Sequence, residues 1–341
     1  MLHSHRFRAS RHLNIGLPVY NGGKWVAQAL DSLLAQTFGD FELIISDNAS
    51  TDETQQICEQ YAARDERIRY VRQEINRGLT WNWNRVFELS HSEYFKWAAC
   101  DDLLHVTFLE RCIDVLDRHP DVVWCHTRSR HIDADGNLLL GDQTPDISYV
   151  NQSLLGDGQP ASASRASTRP SDRFQAVLLG RDGCLDSYGV IRSQILRKTA
   201  LYPPYYGSEK VLMAELALWG RYHEVPESLC FARVHEQTAG NMRSKNQQRR
   251  YINPFSPKWQ SDRLGLLRSY LSAVRRAELP FGEALRCYAA IGQYLFQVHK
   301  WTAVLKKAIT GAGLAAEYPT TVAQSLSESS SFSASPARNV E

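Results

Sequence analysis

Two adjacent carboxylates, Asp101 and Asp102, follow an aromatic-rich run of strand length, Tyr94-Phe95-Lys96-Trp97-Ala98-Ala99-Cys100. In an open α/β sheet, ligands bind beyond the carboxyl ends of the strands. A carboxylate pair at that place suits a hard cation, Mg²⁺ or Mn²⁺, that bridges to substrate phosphates through oxygen. The same pair can instead open a helix, since aspartate caps helices and favours their positive ends. Two further polar groups could share the chemistry. Ser46-Asp47-Asn48-Ala49-Ser50-Thr51-Asp52 ends an apolar run, and Glu209 follows the turn residue Gly207. Asp182, Asp186, Arg233 and His235 are the remaining candidates downstream.

The elements that must position these groups alternate in type. Leu13 to Leu17 reads as a first strand, ended by Pro18-Val19-Tyr20-Asn21-Gly22-Gly23. Val26, Ala27, Leu30, Leu33 and Leu34 then form one helical stripe. Phe41 to Ile45 and Ile68 to Val71 are the next strands, with a helix around Ile57, Tyr61 and Ala62 between them. Asn76-Arg77-Gly78 is a turn before a helix carrying Trp83, Val86, Phe87 and Leu89. Past the acidic pair come a helix from Thr107 to His119, a strand from Val122 to His126 and a hairpin around Asp135-Gly136. A helix resumes from Phe174 to Leu179, and Tyr188 to Ile191 is a short strand. A strongly apolar helix begins at Gly207-Ser208-Glu209, and two edge or hairpin strands are expected at 223–225 and 229–234. Alternation of strand and helix means βαβ units and a largely parallel sheet.

Composition narrows the classes. At 341 residues the chain holds one large domain or two modest ones. Seven cysteines with no CxxC pair argue against a disulfide framework or structural zinc. The basic start MLHSHRFRASRH has no apolar core behind it, and no apolar run reaches membrane-span length, so a cytoplasmic protein is expected. The net charge of +2 hides an asymmetry: residues 241–310 hold thirteen Lys or Arg against three acidic residues. A basic helical segment of that kind is a solvated face, a membrane-surface contact or a nucleic-acid contact.

Taken in order, Leu17-Pro18-Val19-Tyr20-Asn21-Gly22, Ile45 to Asp52, Asn76-Arg77-Gly78 through Asn84, and Asp101-Asp102 resemble the motifs of the family 2 glycosyltransferases. The resemblance covers residues 13–104 closely and continues more weakly to about residue 240. It implies the GT-A fold of the nucleotide-diphospho-sugar transferases: a Rossmann-like, mixed, mainly parallel sheet flanked by helices, here with a C-terminal helical extension. The expected organisation is a flexible N-terminus (1–12), a GT-A domain (13–250) with a lid loop at 141–172, a basic helical extension (251–310) and a disordered tail (311–341).

The resemblance also implies roles. Pro18, Tyr20 and Asn21 would line the slot for a nucleotide base, with Asp47 and Asn48 bonding base or ribose. Asp101 would meet a ribose hydroxyl or the metal, Asp102 the metal, and His235 the metal or diphosphate. Arg233 would pair with diphosphate oxygens. Glu209 would be the general base of an inverting transfer, with Asp182 and Asp186 as rivals. Trp81 and Trp83 divide between core and sugar site, and Asn84 braces the acidic loop. The family departs here in one respect: Ala99 and Cys100 stand where members often carry a further acidic residue. The expected cofactor is Mn²⁺ or Mg²⁺. The expected donor is a nucleotide-diphosphate sugar, a UDP-sugar by preference, with a saccharide or lipid-linked acceptor. Peripheral membrane contact through 241–310 is expected and nucleic acid is not. With no QxxRW motif and no flanking spans, transfer of one sugar per cycle follows. The competing classes are a nucleotidyltransferase, which lacks support in a Gly-rich basic phosphate loop, and a non-catalytic nucleotide-sugar-binding module.

Overall fold

The computed structural model describes residues 12–139, 163–180, 185–235, 245–256 and 261–296. The expectations for 1–11, for most of the 141–172 loop, for Asp182 and for the tail therefore lie outside the described residues.

The elements run β1 (Leu13–Val19), α1 (Gly23–Leu34), β2 (Phe41–Asp47), α2 (Thr54–Arg64), β3 (Ile68–Arg72), α3 (Leu79–Glu88), β4 (Tyr94–Trp97), β5 (Leu103–Leu104) and α4 (Phe108–Arg118). They continue as β6 (Val122–Ile132), α5 (Pro170–Leu179), β7 (Val190–Arg192), α6 (Ser193–Leu196), α7 (Ser208–Trp219), β8 (Arg221–Arg233), α8 (Lys245–Ile252), α9 (Asp262–Arg276) and α10 (Phe281–Leu295). One sheet has the order β3-β2-β1-β4-β7-β6-β8-β5. Its first four strands are parallel, and β7 runs antiparallel between β4 and β6.

β1 sits between β2 and β4, and all seven of its residues are buried, which is why it reads as an apolar run broken only by Asn14. Pro18 is tolerated there because the β1–β4 ladder ends at Gly16–Trp97, so its missing N–H breaks no bond on that side. At Gly16, α3 presses onto the strand: an added Cβ would lie 2.6 Å from Val86 Cγ2. Helices α1, α2 and α4 cover one face of the sheet around Val26, Leu30, Cys58, Phe108 and Leu116. Helices α3, α5 and α7 cover the other, and Tyr270, Ala273, Cys287 and Ile291 bring α9 and α10 into that same core. The anticipated boundary near residue 250 falls inside α8.

Two strand readings need correction. The strand beginning at Val122 continues to Ile132, and the two short strands at 223–225 and 229–234 are one strand, β8, pairing parallel with β6. Its register jumps from Thr127–Val225 to Arg128–Ser228, so Pro226 and Glu227 bulge out. A proline cannot donate to a ladder, and in the sequence it looks like a strand end. The Asp135-Gly136 hairpin is present, closed by an Ile132–Leu138 bridge.

Candidate active site

The carboxyl ends of β1, β2 and β4 meet at one edge of the sheet, and α7 and β8 reach it from the other side. Asp101 and Asp102 leave β4 as an irregular turn and do not open a helix. β8 holds that turn. The Arg233 backbone N–H donates to Asp102 Oδ1 at 2.8 Å, and its Nε donates to the Asp101 carbonyl at 2.7 Å. Asp101 Oδ2 lies 2.8 Å from His235 Nε2. The His235 ring packs on Trp25, 4.0 Å between centroids, and Trp25 Nε1 donates to the Ala134 carbonyl at 3.0 Å.

The electrostatics of the pair are unusual. Burial, and then the adjacent Asp101 charge, push the Asp102 carboxyl up to about 8. Asp102 borders a small internal cavity that it shares with Lys96, Tyr188, Leu104 and Cys230. Lys96 is buried in β4, its ammonium donating to the carbonyls of Trp97 and Tyr188 and lying over the Phe108 ring. Burial lowers its pKa, against a counter-pull that includes Asp102. Among the described residues no three His, Cys, Asp or Glu side chains already stand as a preformed cage.

Glu209 lies in the first turn of α7, entered through Gly207 at φ +85, a left-handed conformation that glycine adopts freely. Burial raises its carboxyl pKa. Burial raises the pKa of the Tyr188 hydroxyl, and the charges of Asp102, Asp101 and Glu209 push it the same way. Asp186, the described rival, is buried in an ion pair with Arg165 and is engaged in structure.

The expected base slot divides into an exposed rim and a buried frame. Tyr20 and Asn21 are exposed at the end of β1. Asn21 takes a left-handed φ of 51 and ties two loops together, its Oδ1 accepting from Thr51 N at 2.8 Å. Pro18, Asp47 and Asn48 lie behind it, all buried. Asp47 accepts from Ser50 N at 2.8 Å and Tyr70 Oη at 2.7 Å, and pairs with Arg72 at 3.4 Å. Asn48 clamps the next turn: its amide bonds Asn76 Oδ1 and the Gly78 carbonyl, and its Oδ1 accepts from Arg77 N.

The geometry gives partners to three further expectations. Arg233 is 4 % exposed and spends its guanidinium internally, on the carbonyls of Asp101, Asp133 and Ala134 and on Gln28 Oε1. These bonds hold the acidic turn in place. Asn84 braces the Tyr202 segment ahead of α7, through a reciprocal pair of bonds at 3.0 and 3.1 Å, and not the acidic loop. Trp83 packs against Trp97, Tyr188 and Tyr202 in the core, while Trp81 lies under the Arg77 guanidinium. Sequence reasoning missed Trp25, Gln28, Asn82 and Tyr188. Asn82 fastens the ends of β2 and β1, accepting from Ser46 Oγ at 2.6 Å and donating to the carbonyls of Ser46 at 2.8 Å and Val19 at 3.4 Å. A polar residue within an otherwise amphipathic helix face was its available signal.

Known proteins place this architecture. The sequence profile described as Glycosyl transferase family 2 matches residues 15–164. Chondroitin synthase of Escherichia coli is 32% identical over 127 residues, which is 37% of this chain and 18% of that one. Glycosyltransferase GlyG of Streptococcus pneumoniae is 28% identical over 132 residues, 38% of this chain and 44% of its own. The chain thus spans less than half the length of these relatives. Among solved structures, S. aureus TarS 1-349 in complex with UDP superposes with a TM-score of 0.57 at 16% identity, covering 87% of this chain and 75% of that one. The mannosyltransferase PcManGT from Pyrobaculum calidifontis, in complex with GDP-Man and Mn²⁺, gives 0.52 at 15% identity, covering 94% and 80%. Residues 15–164 thus carry the sequence signature of glycosyl transferase family 2, on a sheet with the fold of these GT-A neighbours.

Proposed function

We propose that this protein is an inverting, non-processive glycosyltransferase that moves a sugar from a nucleotide-diphosphate donor to a hydroxyl of a saccharide or lipid-linked acceptor. The carrying observation is the carboxylate pair Asp101–Asp102 beyond the carboxyl end of β4, its turn held by Arg233 and His235, together with Glu209 in the first turn of α7, its carboxyl pKa raised by burial. Such an arrangement pairs a site for an anionic leaving group with a separate base. UDP is the favoured nucleotide, in keeping with the UDP bound by TarS. Cell-surface polysaccharide or glycolipid synthesis is the corresponding process.

The residues fit a divalent metal. Two adjacent carboxylates, one raised to about 8 by burial and its neighbour's charge, form an under-compensated anionic site, and His235 adjoins it. Asp101, Asp102 and His235 would hold the ion. A bound Mn²⁺ or Mg²⁺ supplies Lewis-acid stabilisation of the charge gathering on the departing nucleoside diphosphate. The protein's own residues do the rest. Arg233 and Trp25 fix the acidic turn and His235 before donor arrives, so little reorganisation is needed during reaction. Tyr20 and Asn21 present the rim on which the base rests, over the frame of Asp47 and Asn48. Glu209 takes the proton from the acceptor hydroxyl as its oxygen bonds the anomeric carbon and the bond to the diphosphate breaks on the opposite side. Its burial-raised pKa brings it nearer the operating pH of a general base.

Calorimetry with UDP, GDP, CDP and dTDP, each with Mn²⁺ and with EDTA, tests the donor half. Metal-dependent binding of one diphosphate, lost in Asp102→Ala, is expected. Absence of binding by every nucleotide refutes the reading. Glu209→Gln tests the other half: turnover falls by about 10²-fold or more while donor affinity holds. Undiminished turnover removes Glu209 from the base role.

A further inference from the structure

Helix α3 buries Val86 and Phe87 in the core, and on the same helix it buries an asparagine, Asn82, which is 3 % exposed. Asparagine is a weak helix former and a poor apolar filler, so its burial needs polar partners. They come from two neighbouring strands. Oδ1 accepts from Ser46 Oγ at 2.6 Å, and Nδ2 donates to the carbonyls of Ser46 at 2.8 Å and Val19 at 3.4 Å. These residues stand where the β1–β2 ladder ends, at Val19 and Asp47. The Asn82 backbone N–H donates to the Gly78 carbonyl at 3.2 Å, and that carbonyl also accepts from Asn48 Nδ2 at 3.1 Å. A plain structural plug would need one partner strand. Asn82 bonds both, and each bonded residue directly precedes a residue of the base slot.

Val19 leads into the rim, Tyr20 and Asn21, and Ser46 leads into the frame, Asp47 and Asn48. Both turns then leave ordinary backbone, with Asn21 at φ 51 and Ala49 at φ 63. Left-handed residues other than glycine cost energy and persist only where their surroundings hold them. The turns hold each other: Asn21 N donates to Ser50 Oγ at 2.9 Å, and Asn21 Oδ1 accepts from Thr51 N at 2.8 Å. Asn82 ties the roots of both to α3. We infer that Asn82 is a positioning residue that sets nucleotide specificity, because it fixes the rim over the frame and with it the choice of base. This role presupposes a nucleotide-sugar donor. A slot tells bases apart through polar groups held in fixed places, since a base with donor and acceptor exchanged leaves them unpaired. Uracil and cytosine differ by such an exchange. Slack between rim and frame lets the groups adjust to either base, so binding weakens and preference narrows together. The acidic turn is held by Arg233 and His235, and none of the Asn82 bonds goes to it, so the diphosphate half does not follow.

The full chain carrying Asn82→Ala is titrated by calorimetry with UDP, GDP, CDP, dTDP and inorganic pyrophosphate, each with Mn²⁺. The nucleotide that the unaltered protein prefers is expected to lose about tenfold or more in affinity, as two or three hydrogen bonds vanish. Its margin over the other nucleotides narrows, and pyrophosphate affinity holds. Hydrogen exchange without nucleotide reads the positioning itself. The amides of Asn48, Ser50 and Thr51, which bond Val19, Asp47 and Asn21, exchange about tenfold faster, and those of β4 do not. Ser46→Ala removes one bond and leaves the amide in place, so it serves if Asn82→Ala folds poorly; the same pattern appears at about two- to fivefold. Equal weakening of nucleotide and pyrophosphate makes Asn82 a general structural residue and overturns the proposal. So does an unchanged margin between nucleotides. If the unaltered protein binds no nucleotide, the donor reading falls and this role with it. Failure of the role alone shows as equal nucleotide binding by both proteins.

Discussion

Arg233→Lys separates an internal clamp from a ligand contact. The guanidinium makes four hydrogen bonds, at 2.7 Å to Asp101, 3.1 Å to Asp133, 2.9 Å to Ala134 and 2.8 Å to Gln28. Lysine keeps the charge but replaces a planar fork with one ammonium, which can serve one or two of these acceptors. At least two buried acceptors lose their donor. Hydrogen bonds to charged groups contribute about 1.5–3 kcal/mol each, and some of that returns through relaxation and water. A net loss of about 2–4 kcal/mol follows, equivalent to roughly 4–12 °C in Tm for a domain of this size. The acidic turn also loosens, so metal-dependent UDP binding weakens alongside. Differential scanning calorimetry and binding calorimetry read the two effects. A variant with unchanged Tm and selectively weaker diphosphate binding would refute the clamp and restore Arg233 to the ligand.

Three further outcomes follow from the same geometry. In EDTA, the Asp102 carboxyl is raised by burial to about 8, so the unfolded chain releases this proton before the folded one does. Its contribution to stability therefore falls as pH climbs from the ordinary aspartate range to about 8, and thermal unfolding of Asp102→Asn lacks that component; parallel pH profiles would contradict it. Metal-dependent UDP binding should strengthen over the same range, since the metal must displace that proton. Gly16→Ala forces a methyl to within 2.6 Å of Val86 and 2.7 Å of Phe95, at a cost of about 1–3 kcal/mol by denaturant unfolding. Combining it with Val86→Ala should cost less than the sum of the two singles, because the neighbours share one space. Glu215→Ala removes a buried carboxylate that accepts from Arg276 at 2.7 Å and Ala200 N at 3.1 Å. A loss of about 1–3 kcal/mol is expected, with α9 cleaved first by a limiting protease; uniform cleavage would contradict the pairing.

Much of this protein was legible in the chain itself. Period-2 and period-3.6 runs, punctuated at Gly22-Gly23, Asn76 to Gly78 and Gly207, placed β1 to β4 and the helices around them, because local burial patterns decide those elements. The acidic pair, the Ser46 to Asp52 turn and Glu209 were visible because their residue types stand where strands and turns end. Non-local contacts decided the rest. Nothing near Pro226 in sequence indicates that β8 bulges there and runs on along β6, since the partner is about a hundred residues away. Nor does any local signal turn Arg233 inward: an arginine at a strand end reads as surface charge until carbonyls from two other loops converge on it. Trp25, beside the stripe that begins at Val26, carries no local signal of its role until the chain leaving β8 lays His235 against its ring. Residue type and spacing determined which groups carry charge and where the chain turns. Only the closed fold determined which of those groups are used up in holding the site together and which are left facing a ligand, because that depends on the desolvation and hydrogen-bond partners that distant segments supply.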